Sequence, residues 1–264
     1  MKDTLKTLIG QTLFASRLDQ ILLRNTAVIV TFHRVHDGAG ADPLTVDVRM
    51  FEQYCRFFQR HFRVVSLREI VARLESGRTP HHELAITFDD GYRDNVENAL
   101  PVLERLSLPA TFFVVSQWVG TDVVPWWDSR RGVRHPWMTW DEVRSLHRRG
   151  FDVGSHTRTH ADLGQVSGDA ARNELFGARL ELERALGARV ECFAYPYGGR
   201  NNLTEANRAL VKAAGYRCCC SGFGGINDPD TDPFRLQRVA IAPSCASAHQ
   251  FAFEVALGRS LLTA

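Results

Sequence analysis

No apolar run in the 264-residue chain approaches the roughly 20 residues that a membrane-spanning helix needs. The longest, such as Ala27 to Phe32, have the length of a strand. Neither sign of charge dominates either, since Lys plus Arg number 32 and Asp plus Glu 30. A global field able to concentrate nucleic acid is therefore excluded, and no nucleic-acid partner is expected. The six cysteines (Cys55, Cys192, Cys218, Cys219, Cys220, Cys245) contain no CxxC pair, and three of them are adjacent. Neighbours on a strand point to opposite faces, so these read as core thiols of a reduced compartment, not as a disulfide framework. An uninterrupted signal-peptide core is also missing, because Asp3, Arg17 and Asp19 break up the first 24 residues. The expected compartment is the cytoplasm.

What is present is ordinary globular material, 44% hydrophobic and 23% charged, enough for one large core. Residues 1–26 carry helical spacing twice, at Leu5/Leu8/Ile9 and at Phe14/Leu18/Ile21/Leu22, with the stripes pointing in different directions. Two short helices around Gly10 are expected, docked on the domain, and peripheral contact with the inner membrane through them stays open. From residue 27 to 264 short β-rich runs alternate with helical patterns. Strands are predicted near Ala27–Phe32, Leu84–Phe88, Ala110–Val115, Phe151–Gly154, Val190–Tyr195, Tyr216–Cys220 and Gln237–Ile241. Most are continuously apolar, as buried parallel strands are. Ser66 to Glu69 and Thr139 to Glu142 read as capping boxes, with Gly77 and Gly150 closing their helices. Seven strand-helix units without a linker predict one α/β domain, open or barrel-like. The segments Val119–Met138 and Ser221–Phe234 are too long for tight connections and are candidate binding loops, holding Trp126, Trp127, Trp137, Gly222, Gly224 and Gly225.

Two segments carry chemistry. In Thr87-Phe88-Asp89-Asp90-Gly91 an apolar strand ends in adjacent carboxylates, at the strand end where α/β proteins open their ligand crevice. In Ser155-His156-Thr157-Arg158-Thr159-His160 two imidazoles lie four residues apart past another strand, a spacing that on a helical turn would put both on one metal. Each alone has an ordinary reading, as a capped turn or as core histidines. Together, two His and one carboxylate leave metal positions open for water and substrate, while the second carboxylate is free to take a proton.

These residues resemble the polysaccharide deacetylases of carbohydrate esterase family 4. TFDDG at 87–91, SHTRTH at 155–160 and FAYPYG at 193–198 are similar to that family's first three motifs, in order. The resemblance implies a deformed (β/α) barrel of about seven strands, with Asp89 as general base and with Asp90, His156 and His160 as ligands of a divalent metal, zinc by default. It also implies that the Tyr197 backbone N–H stabilises the oxyanion. Two departures stand out. The family's third motif has an Arg where this chain has Ala194, and either Arg235 or Arg238 is available to orient the base instead. The family's late motif offers a His as general acid, Leu236 to Ile241 contains none, and His33, in Val30-Thr-Phe-His-Arg-Val35, takes its place by similarity to the poly-N-acetylglucosamine deacetylase branch.

The expected activity is metal-dependent hydrolysis of N-acetyl groups from amino sugars of a glycan or glycoconjugate. Two alternatives are a catalytically inactive glycan-binding domain and a non-haem iron oxygenase, whose facial triad is also two His and a carboxylate.

Overall fold

The computed structural model describes residues 2–37, 42–241 and 247–261. Its strands are β1 (Ala27–Phe32), β2 (Arg34–Val35), β3 (Thr45–Val46), β4 (Arg63–Val64), β5 (Glu83–Phe88), β6 (Ala110–Val114), β7 (Asp152–Ser155), β8 (Cys192–Ala194), β9 (Cys218–Cys220) and β10 (Val239–Ala240). Its α-helices are α1 (Lys2–Ala15), α2 (Asp19–Leu22), α3 (Val48–His61), α4 (Leu67–Glu75), α5 (Leu100–Arg105), α6 (Trp126–Ser129), α7 (Trp140–Arg148), α8 (Gly168–Arg172), α9 (Ala178–Leu186), α10 (Glu205–Ala213) and α11 (Ala248–Leu261). None is long and apolar enough to cross a membrane among the described residues.

All seven predicted strands are present, most of them shorter than the apolar runs that announced them. They form one parallel sheet in the order β10-β1-β5-β6-β7-β8-β9, and the unpredicted β4 pairs with the first residues of β5. This is a curled, single-domain α/β sheet, a deformed barrel as expected. The ends meet through one segment. Leu236 N donates to Cys219 O and Leu236 O accepts from Ser221 N, while Val239 and Ala240 pair with Val30 and Thr31. Residues 236–240 thus span from β9 to β1.

Alternation along the strands sorts the side chains into two sets. Val28, Val30, Phe32, Leu84, Ile86, Phe88 and Phe112 face the helices. Ala27, Ile29, Ala85, Phe113, Cys192, Ala194, Cys218 and Cys220 face inward, where Leu67, Ile70, Val71 and Leu74 of α4 plug one end. The small interior residues make room for that plug. Cys55, Cys192, Cys218, Cys219 and Cys220 are buried free thiols, with Cys219 facing the opposite way from its two neighbours; Cys245 lies outside the described residues.

Two local expectations need correction. Gly10 does not break the N-terminal helix, because α1 runs through it and the chain turns only at Ser16–Leu18. A Cβ on Gly10 would sit 1.9 Å from the His249 carbonyl oxygen, so this glycine permits close crossing of α1 over α11. The Ser66 cap is half a capping box: Ser66 Oγ accepts from Glu69 N, but the Glu69 carboxylate is drawn off by Arg63 and Arg73. The Thr139 box is complete, and Gly77 and Gly150 adopt the left-handed closing conformation. Gly10→Ala is expected to push α1 off α11 and cost about 1–3 kcal/mol as an overpacked contact. A denaturant midpoint equal to that of the unsubstituted chain would refute the close crossing.

Candidate active site

Inward parity puts the chemistry at the open end of the barrel. On β1 the inward set Ala27, Ile29, Thr31 continues to His33; on β5 the set Ala85, Thr87 continues to Asp89; past β7 the step from Gly154 leads to His156. Thr31, His33, Asp89, Asp90, His156, His160, Tyr195, Tyr197 and Arg238 line a single cavity of about 390 Å³, a size suited to a small-molecule or sugar subsite. Every predicted site residue is therefore brought together.

Asp89 is held by Arg238. The guanidinium donates Nη1 to Asp89 Oδ1 at 2.8 Å and Nη2 to Oδ2 at 2.7 Å, while neither residue has meaningful solvent exposure. Nε donates to Ser221 O at 2.6 Å, and the second Nη1 hydrogen is shared between Thr31 Oγ1 and Thr87 Oγ1, each at 3.2 Å. Burial alone would raise the Asp89 carboxyl, but the Arg238 charge holds it below the usual carboxylate range. Of the two arginines left open by the sequence, Arg238 is the one that reaches Asp89; Arg235 pairs with Glu205 at the surface.

Asp90 follows on the strand and by parity would turn outward. A positive φ of 73° swings it back into the cavity. Its Oδ1 lies 3.3 Å from His156 Nε2 and 3.2 Å from His160 Nε2, yet it has no hydrogen-bond partner. His156 Nδ1 is 2.9 Å from the Ala194 carbonyl, which fixes Nδ1 as donor and leaves the Nε2 lone pair facing Asp90. Three lone-pair donors thus converge, all buried and within 4.8 Å of one another. Such a set of two imidazoles and one carboxylate fits a divalent cation with positions left open.

The histidines do not share a helical face. Residues 156–160 form a loop with positive φ at Thr157 (65°) and His160 (61°). The group that shapes this loop was not legible from the motif. Glu174, on a wide helical turn at Asn173–Gly177, accepts from Arg158 N and Thr159 N at 2.9 Å and from Thr159 Oγ1 at 2.8 Å. A glutamate inside an amphipathic helix carries no sequence signal for such a task. His160 itself is sandwiched by Trp118 (5.1 Å between centroids), Trp127 (5.0 Å) and Tyr197 (4.9 Å).

Tyr197 has φ 61°, and its N–H donates to no protein acceptor among the described residues. Gly198 beside it is obligatory in practice, since a Cβ there would lie 2.1 Å from Gly222 N. Trp126 and Trp127 line the cavity, Trp126 half-exposed. Trp137 is core: it is 3% exposed and stacks on Tyr92 at 4.4 Å. Trp140 packs against the core as well.

A family model for polysaccharide deacetylases matches residues 76–219. The poly-β-1,6-N-acetyl-D-glucosamine N-deacetylase of Escherichia coli K12 is 30% identical over 140 residues, which is 50% of this chain but only 21% of that longer protein. The Staphylococcus aureus protein of the same name is 22% identical over 241 residues, 83% of this chain and 79% of its own length. Among solved structures, Streptococcus pyogenes deacetylase PplD superposes with a TM-score of 0.73 at 20% identity, covering 86% of this chain and 97% of its own. IcaB from Ammonifex degensii gives 0.72 at 22%, covering 86% and 96%. At these identities the structural likeness concerns the fold.

Arg238→Met is expected to leave a buried carboxylate without its cation and to cost about 3–5 kcal/mol at neutral pH. The sign with pH follows from Asp89. In the unsubstituted chain its depressed value contributes stability above the unfolded carboxylate range, lost as pH falls through the folded value. In the variant, burial loses its largest opponent and the folded value rises, so the deficit shrinks as acid neutralises Asp89. Denaturant unfolding of both chains from pH 7 down to the carboxylate range checks this. A deficit that stays constant with pH would sink it.

Proposed function

The chain belongs to the polysaccharide deacetylase family, and we propose that it hydrolyses N-acetyl groups from amino sugars of a glycan, using Asp89 as base, His33 as acid and a divalent ion held by Asp90, His156 and His160. One observation carries the reading: two adjacent carboxylates have opposite surroundings, Asp89 clamped by a cation and Asp90 aimed at two imidazole lone pairs. The first is kept ionised and available, and the second is shaped as a ligand.

When bound, a divalent ion supplies a Lewis acid for the acyl carbonyl and for the attacking water, and zinc is our first choice. Asp89 accepts the proton of that water, and Arg238 fixes the carboxylate plane while it does so. The free Tyr197 N–H is available to the developing oxyanion. An amine leaves poorly until protonated, and His33, inward on the same strand end as Asp89, is the donor for it. Trp126 and Trp127 supply apolar faces for a sugar ring. The E. coli and S. aureus relatives bear the name of an enzyme for β-1,6-linked poly-N-acetylglucosamine, which makes N-acetylglucosamine oligomers the first substrates to offer. The oxygenase alternative called for an all-β barrel and gives way to the parallel α/β sheet. The inactive-domain alternative was motivated by the missing motif Arg and late His; against it stand the contact of Arg238 with Asp89 and the place of His33 in the same cavity.

Acetate release from β-1,6-linked N-acetylglucosamine oligomers by the zinc-loaded chain tests the reading, and a folded, metal-loaded chain with no release would favour the glycan-binding alternative. Asp89→Asn is expected to keep zinc stoichiometry and lower turnover by roughly 10² to 10⁴, the usual share of a positioned base. Equal metal loss in Asp89→Asn and Asp90→Asn would merge their roles. His33→Ala is expected to keep fold and zinc, lose most turnover and shift or abolish the descending limb of the pH–rate profile. Near-normal turnover with an unchanged profile would remove His33 from the mechanism.

A further inference from the structure

We propose that His36, Asp94 and His135 form a second divalent transition-metal site, separate from the cavity, that ties together the two loops forming the cavity wall. One donor atom from each of the three lies within 4.8 Å of the others. The imidazoles face each other with centroids 4.9 Å apart and planes inclined by 39°.

Each donor is left unused by the protein. His36 Nδ1 is 2.9 Å from the Asp37 carbonyl, which makes Nδ1 the donor and leaves the lone pair on Nε2. That Nε2 is buried without a partner. Both hydrogen bonds to Asp94, from Val35 N at 3.1 Å and Asn95 Nδ2 at 2.8 Å, fall on Oδ1. Asp94 is 7% exposed, so its carboxylate is held in the interior beside the two imidazoles. His135 makes no hydrogen bond among the described residues, and burial lowers its imidazole, favouring the neutral form a metal binds.

The surrounding charge permits a cation. Arg34 and Arg131 are nearby, but Arg34 is committed to Asp42 and Asp128, and Arg131 pairs with Asp42. With Asp94 ionised, three carboxylates face two guanidinium groups, leaving one negative charge. Two imidazoles and a carboxylate suit zinc, cobalt or nickel better than calcium or magnesium, whose ligands are oxygens.

Position gives the site its purpose. His36 precedes the loop that returns through Pro43 and Leu44, and His135 follows the segment with Trp126 and Trp127. All four of these residues line the cavity. Tyr92 stands between the two centres, edge-on to His135 at 6.1 Å and accepting Trp127 Nε1 at 3.1 Å. A metal at His36, Asp94 and His135 thus pins both walls without touching the reacting atoms.

Zinc titration of the chelator-stripped full chain, read as bound zinc per chain and as melting temperature, tests this. Two equivalents are expected for the unsubstituted chain and one for the Asp90→Ala/His156→Ala variant, with zinc still raising that variant's melting temperature. Adding His36→Ala and His135→Ala to it should abolish both the remaining equivalent and the shift. If that combination unfolds, His135→Gln in the same background serves, with the same loss expected. The proposal is overturned if folded Asp90→Ala/His156→Ala chain binds no zinc, or if the His36→Ala/His135→Ala chain still binds two.

Discussion

A fully buried guanidinium facing a fully buried carboxylate is the constraint on which the rest of this barrel depends. Desolvating both ions costs several kcal/mol each, and the cost is offset only when every donor and lone pair is used. Arg238 comes close to that condition: Nη1 and Nη2 each donate to Asp89, Nε donates to Ser221 O, and the second Nη1 hydrogen is shared between the hydroxyls of Thr31 and Thr87. Those partners belong to β1, β5 and the turn after β9. Arg238 itself sits in the segment that bridges β9 to β1. The ion pair that fixes the Asp89 carboxylate therefore also draws the first and last strands together, so barrel closure and the geometry at Asp89 are one device.

The backbone around the site departs from easy conformations for a related reason. Among the described residues seven non-glycine positions have positive φ, and four of them, Asp90, Thr157, His160 and Tyr197, are at or beside the site. Such residues cost of order 1–3 kcal/mol each and persist only where the surroundings over-determine them. Here the cause is alternation. Period two lets only every second residue of a strand face inward, yet two consecutive aspartates are needed at one cavity. The left-handed turn at Asp90 resolves the conflict, and Glu174 does the equivalent work for the histidine loop by holding two of its N–H groups.

Much of this was legible because it is a matter of parity and of side-chain type. The seven parallel strands follow from continuous apolar runs, and the inward positions of His33, Asp89 and His156 follow from counting by two along each strand. What was not legible depends on contacts between remote segments. Gly10 reads as a helix breaker until α11 is seen across it, and the same residue type serves both purposes. Helical spacing anticipated that His156 and His160 would converge, but not by the route taken, since the loop is shaped by Glu174 from a different helix. The choice between Arg235 and Arg238 is likewise a choice between surface and interior that only closure of the sheet makes.

The absence of arginine at position 194 follows from the same interior. Ala194 faces inward with Cys220 and Leu236, and its carbonyl is occupied by His156 Nδ1. The Arg238 guanidinium lies over the inward Phe113 ring at 5.5 Å. The barrel has room and counter-charge for one buried cation beside Asp89. A second guanidinium, entering from β8, would share a single carboxylate with the first and bury an unpaired charge among thiols and aromatic carbon. An alanine on β8 is thus the complement of an arginine on the closing segment, and the base can be oriented from either neighbouring direction provided only one is used.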